Sequence, residues 1–199
     1  MELRQALSDL AEVRDRLAHV QRFDGYSGAA AAASGGGAFL AALAQQQLVP
    51  LPATPDGMRT YLVIWLSCLA AALALNYGAA SWWLLRHRAP GERSRFRTAA
   101  LSIAPSIVLG GALSLALIDH RAYALLPGTW FAFYAIGLFA SRGAIPASTM
   151  AITVAFASLA LIFLVTPLAA ISLAWWVMPI GFGAGQLGIG YLIWRDRSR

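Results

Sequence analysis

Near the end of the chain, residues 172–194 read SLAWWVMPIGFGAGQLGIGYLIW, and none of these residues is charged. As a helix rising about 1.5 Å per residue, the stretch would be roughly 35 Å long, which exceeds the bilayer's hydrocarbon core of about 30 Å. Aromatic residues lie near both of its ends, where amphipathic rings prefer the headgroup level. We therefore predict that residues 172–194 form a membrane-spanning helix.

Glycines within this stretch follow a helical spacing. Gly181, Gly185 and Gly188 fall on one face of the predicted helix. Another helix can approach closely there because glycine has no side chain. The spacing predicts a helix-packing face.

The remainder of the chain has the same character. Of its 199 residues, 59% are hydrophobic and 12% are charged, against about 25% charged in an average soluble domain. We predict an all-α polytopic membrane protein with an N-terminal cytoplasmic amphipathic helix (residues 1–25) and a six-helix transmembrane domain (residues 26–199). The six predicted spans are residues 29–48, 61–85, 98–118, 122–140, 147–165 and 172–194.

Arginine placement predicts the orientation. With the N-terminus in the cytoplasm, the outer loops carry only Arg59 and Arg121 of the 15 arginines. Positive residues accumulate on the cytoplasmic side, so both termini are expected there. Basic residues that are all arginine, together with abundant alanine, suit a bacterial protein from a GC-rich genome. We expect such a multi-pass protein to lie in the bacterial inner membrane.

The N-terminal helix carries apolar residues on one side, at spacings of three, four and seven. These residues are Leu3, Leu7, Leu10 and Leu17. The segment has a small net negative charge, so attraction to anionic lipid does not explain its location. We favour docking of this helix against the protein's own cytoplasmic loops or against a partner helix.

Small and polar residues also follow helical spacing inside the predicted spans. Ser102, Ser106, Gly110 and Ser114 share one face of the third span and predict helix packing. Asn76 and Gln186 are polar residues at membrane depth. They either form hydrogen bonds across helices or provide polar contacts in a lipid or small-solute pocket.

Several chemistries are disfavoured by the residues present. The three histidines lie on separate segments away from the membrane centre, so neither haem nor a histidine-ligated metal is expected. The nine acidic residues, among them Asp56, Glu92 and Asp119, fall in termini or predicted loops, which disfavours ion-coupled transport. Nucleophilic catalysis by the serines of the spans would need a nearby base, and no histidine, lysine or aspartate lies at matching depth. We expect no enzyme activity, no cofactor and no nucleic-acid partner.

The opening MELRQALSDLAEVRDRLAHVQRFDGY, followed by a glycine-rich first span, resembles the start of a group of bacterial multi-pass membrane proteins of uncharacterised activity. The resemblance implies a multi-pass fold and brings no site residues with it.

Together these features predict a non-catalytic subunit or regulatory scaffold of an inner-membrane complex. Its expected partners are membrane lipid and either another protein or further copies of itself. The alternative is a small permease or a carrier for lipid or another hydrophobic solute.

Overall fold

The computed structural model describes residue 5 and residues 25–86, 91–166 and 168–198. This part of the chain contains no strand, and its helix content is 85%. The predicted N-terminal helix of residues 1–25 lies almost entirely outside the described residues.

The elements follow one another as helices joined by short connections. They are α1 (Gly28–Leu48), α2 (Pro55–Arg86), α3 (Glu92–Asp119), a 3₁₀ turn (Tyr123–Leu125) leading into α4 (Leu126–Ala140), a 3₁₀ turn (Ala147–Thr149) leading into α5 (Met150–Val165), the short α6 (Ala169–Ser172), and a π-helical turn (Pro179–Gly183) that continues into α7 (Ala184–Arg197).

Within the described ranges, four helical stretches are long and apolar enough to cross a membrane: Pro55–Arg86, Glu92–Asp119, Tyr123–Ala140 and Ala147–Val165. The expectation of an all-helical protein is therefore confirmed, and four of the six predicted spans correspond to helices that could cross a membrane.

Two of these helices begin earlier than the apolar runs alone indicate. α2 starts at Pro55 because proline suits the first turn of a helix, and because the Thr54 hydroxyl accepts a hydrogen bond from the Gly57 N–H at 3.1 Å. α3 starts at Glu92, which is buried and forms an ion pair with Arg95 one turn later. Asp56, Glu92 and Asp119, which the sequence places in loops, are thus residues of helix ends.

The predicted last span is divided in the structure. α6 ends at Ser172, residues 173–176 form turns, and helix resumes at residue 177. Pro179 explains the division, because it has no N–H and its ring would clash with the carbonyl of residue 175 if a regular helix ran through. Of the predicted glycine face, Gly181 therefore belongs to the π-helical turn, and Gly185 and Gly188 belong to α7.

The helices pack as neighbours in two groups, α2–α1–α7 and α3–α4–α5. α1 and α7 run antiparallel at very short range. A Cβ on Gly28 would lie 2.7 Å from the Gly190 carbonyl oxygen, and one on Gly35 would lie 2.8 Å from that of Gly183. Only glycine permits this approach.

Candidate functional site

A groove of about 310 Å³ lies between α5 and the segment made of the π-helical turn and α7. This volume is at the lower end of the roughly 300–1,000 Å³ that small-molecule sites occupy. Ala155 on one wall and Ala184 on the other are exposed, so the groove opens on the surface of the bundle. No charged or polar side chain is among its lining residues, which are Ala151, Ile152, Ala155, Phe156, Leu159, Ile180, Gly181, Ala184 and Gly185. We call it the α5–α7 groove.

The predicted glycine face lies against side chains of α4 and α5. A methyl group on Gly181 would overlap the Phe131 ring, and one on Gly185 would lie 2.5 Å from the Phe156 ring. A Cβ on Gly188 would approach Ile152 at 3.0 Å. This chain itself therefore occupies the space that the three glycines leave.

Aromatic rings form the packed layer next to the groove. The Phe131 ring centroid lies 5.9 Å from those of Phe156 and Phe163 and 5.2 Å from that of Phe182. These are favourable tilted contacts between rings. Phe131 and Phe156 are fully buried, so this side of the groove has a closely packed support.

Gln186 lies beside the groove residue Gly185 but does not line the groove. Its Nε2 donates a hydrogen bond to the Tyr134 hydroxyl at 2.7 Å. The Tyr134 ring in turn lies 4.6 Å from that of Phe156. Gln186 thus joins α7 to α4.

Asn76 joins a different pair of helices. Its Nδ2 donates to the Ser34 hydroxyl of α1 at 2.8 Å and to the Ala72 carbonyl of its own helix at 2.9 Å. Ser34 donates onward to the Ala30 carbonyl. The structure gives Asn76 and Gln186 separate partners and does not bring them together in the groove.

The predicted small-residue face of α3 is turned towards α4 over most of its length. The Ser114 hydroxyl accepts a hydrogen bond from Trp130 Nε1 at 2.8 Å. A Cβ on Gly110 would lie 3.1 Å from Phe133, and Ser106 lies opposite Gly137. Ser102 instead donates to the Thr98 carbonyl within α3.

A buried polar cluster that the sequence analysis does not predict joins three parts of the fold. The fully buried Gln45 at the end of α1 donates from Nε2 to the Leu173 carbonyl at 2.9 Å. Its Oε1 accepts a hydrogen bond from Trp65 Nε1 at 2.7 Å. The run Gln45, Gln46, Gln47 is the signal in the sequence, but it does not indicate which glutamine is buried.

Arginine side chains cover aromatic rings at one end of the bundle, where α2, α4 and α7 all finish. Arg86 lies 4.5 Å over the Trp82 ring, Arg142 lies 4.5 Å over Phe139, and Arg195 lies 5.9 Å over Tyr191. Cations are favoured at helix C-termini, and aromatic faces attract them. We call this the arginine-bearing end.

Tyr26 lies at the same end, just before α1. Arg197 of α7 donates a hydrogen bond to its carbonyl oxygen. Burial, with a smaller contribution from Tyr77, raises the pKa of the Tyr26 phenol to about 12, so the phenol remains neutral at physiological pH. The contact joins the start of α1 to the end of α7.

The predicted partner-binding residues Leu3, Leu7, Leu10 and Leu17 lie outside the described residues. Within the described ranges, no three His, Cys, Asp or Glu side chains form a group that could hold a metal ion. Comparison with protein-family models, with curated proteins and with solved structures finds no match to this chain.

Proposed function

We propose that this chain is a non-catalytic subunit or scaffold of a bacterial inner-membrane complex, and that it assembles through the outward face of α2. The observation that supports the proposal is how little of α2 packs against the described part of the chain. Among its 32 residues, the buried ones are Met58, Tyr61, Trp65 and Ala80.

Small residues occupy the opposite side of the same helix. At about 100° per residue they share one face, and all of them are exposed: Ser67, Ala71, Ala74, Gly78 and Ser81. A Cβ built on Gly78 meets nothing within 4 Å. Small residues at such spacing let two helix backbones approach closely in a membrane. The outward face of α2 therefore suits a helix from a partner or from a second copy.

The proposed topology has six crossings, with both chain termini in the cytoplasm. α1 has 21 residues, which is roughly 31 Å of helix and enough to span the hydrocarbon core. It pairs antiparallel with the helical segment of residues 177–197, which supports counting both as spans. The arginine-bearing end then lies on the cytoplasmic side.

Gly78→Leu should abolish the proposed assembly while leaving the fold intact. A leucine side chain has room within the chain but would hold a partner helix away from α2. Native mass spectrometry in a gentle detergent should show a smaller assembly for the variant. Gly36→Leu is the matched control, since a Cβ on Gly36 also meets nothing within 4 Å. An unchanged assembly mass for Gly78→Leu would contradict the role of this face.

The N-terminal helix is the second proposed contact. Deleting residues 1–22 should release a co-purified protein while membrane insertion stays intact, because the spans lie beyond the deletion. Affinity purification with quantitative mass spectrometry, combined with membrane fractionation, measures both properties. If the truncated chain recovers its partner as well as the full chain does, the helix has no such role.

The α5–α7 groove favours a second candidate function, which is binding of a lipid or another hydrophobic solute by a small carrier or permease. Its walls are apolar and it opens on the surface of the bundle, so an apolar chain could enter from the bilayer.

A further inference from the structure

A stripe of residues along α7 leads from the α5–α7 groove to the arginine-bearing end. Ala184 lines the groove, and Tyr191 and Arg195 follow it seven and eleven residues later. At 3.6 residues per turn, the three positions lie within about 20° of one line along the helix. Along this line the surface changes from apolar to aromatic to cationic.

The length of the stripe matches half of a bilayer. Eleven residues of helix span about 16 Å, and half of the hydrocarbon core is about 15 Å thick. With Arg195 at headgroup level, Ala184 and the groove therefore lie near the bilayer centre. That depth is reached by the end of an acyl chain.

The surface of α7 between the groove and Arg195 favours a lipid over a partner helix. The rings of Tyr191 and Trp194 lie 6.1 Å apart on this surface, and both are exposed. They would obstruct a straight helix laid along α7, whereas a flexible chain can pass beside them. Aromatic residues at this level are typical neighbours of lipid headgroups.

The charge at the end of the stripe suits an anionic headgroup. Arg195 is half-buried, and its guanidinium lies 5.9 Å from the centroid of the Tyr191 ring. A guanidinium can donate two parallel hydrogen bonds to a phosphate.

We infer that the α5–α7 groove binds one acyl chain of an anionic phospholipid of the cytoplasmic leaflet, whose phosphate contacts Arg195. This inference rests on the second candidate function and names its ligand. The lipid chain lies between Ala155 and Ala184, and its headgroup lies beside Tyr191.

Lipid binding to the reconstituted protein tests the inference. Electron paramagnetic resonance would measure the immobilised fraction of three spin-labelled probes in phosphatidylcholine vesicles: phosphatidylglycerol, phosphatidylcholine and an alkane without a headgroup. We expect the protein to prefer phosphatidylglycerol. Ala155→Leu should weaken phosphatidylglycerol binding at least about tenfold, because the leucine side chain would fill groove space that several acyl-chain methylenes occupy. Ala157→Leu, at an exposed alanine of α5 outside the groove, should bind as the unmodified protein does.

The headgroup contact has its own pair of variants. Arg195→Gln should weaken phosphatidylglycerol binding about fivefold and phosphatidylcholine binding less, because the choline cation of phosphatidylcholine partly offsets its phosphate charge. Arg93→Gln removes an exposed arginine at the arginine-bearing end and should have no such effect. Ala151→Leu is a second groove-filling change if Ala155→Leu does not fold.

The outcomes separate the inference from the carrier function. Equal binding of the two lipids, insensitive to Arg195→Gln, would overturn the lipid assignment. If Ala155→Leu still weakens binding of the alkane in that case, the carrier function stands without the anionic-lipid assignment. If neither groove-filling variant changes the binding of any probe, the lipid inference and the carrier function are both wrong.

Discussion

Replacing Gln45 with leucine is expected to lower the free energy of unfolding by about 2–4 kcal/mol, because each buried polar group left unpaired costs about 1–3 kcal/mol. The Gln45 amide is fully buried and makes two hydrogen bonds, to the Leu173 carbonyl and from Trp65 Nε1. Leucine would leave both partners without a hydrogen bond at the meeting point of α1, α2 and the turn before residue 177. Thermal or SDS-induced unfolding in detergent measures the loss.

The chain provides matched controls in the next two residues. Gln46 and Gln47 are exposed, so Gln46→Leu and Gln47→Leu should change stability by no more than about 0.5 kcal/mol. Adding Trp65→Phe to Gln45→Leu should recover part of the loss, since the unpaired indole N–H is then removed. Equal stabilities for Gln45→Leu and Gln46→Leu would refute the role assigned to the cluster.

Adjacent glycines of α1 should respond to alanine with opposite signs. A Cβ on Gly35 would lie 2.8 Å from the Gly183 carbonyl oxygen and 3.0 Å from the Leu187 backbone nitrogen. Neither backbone atom can rotate away, so α1 and α7 must separate, at a cost of about 1–3 kcal/mol. A Cβ on Gly36 meets nothing within 4 Å. Gly36→Ala should therefore stabilise the protein by up to about 1 kcal/mol through helix propensity.

Unfolding measurements on the two variants, under identical detergent conditions, test this contrast. Gly190→Ala extends it to the partner helix, since its Cβ would lie 2.7 Å from the Gly28 carbonyl oxygen. It should destabilise as Gly35→Ala does. A Gly35→Ala protein as stable as Gly36→Ala would mean that α1 and α7 are not in backbone contact.

The limits of sequence-based prediction are clearest at the small-residue faces. Spacing alone indicates that Gly181 and Gly185 share a face, but not that Phe131 and Phe156 occupy the space beside them. The same kind of spacing on α2, around Gly78, meets no neighbour among the residues that the structure describes. Helical periodicity specifies which residues of one helix point the same way, and it carries no information about which neighbour they meet.

The sequence by itself determined that the chain is helical and that several helices suit a membrane, because long uncharged apolar runs must pair their backbone groups internally in lipid. It also placed the arginines at the ends of those runs. Only the tertiary structure decided that Gln45 is buried while Gln46 is exposed, that the last predicted span is divided before residue 177, and that the α5–α7 groove exists. These features depend on contacts between residues far apart in the chain, such as Gln45 with Leu173, and the local pattern of apolar and polar residues is the same whether or not those contacts form.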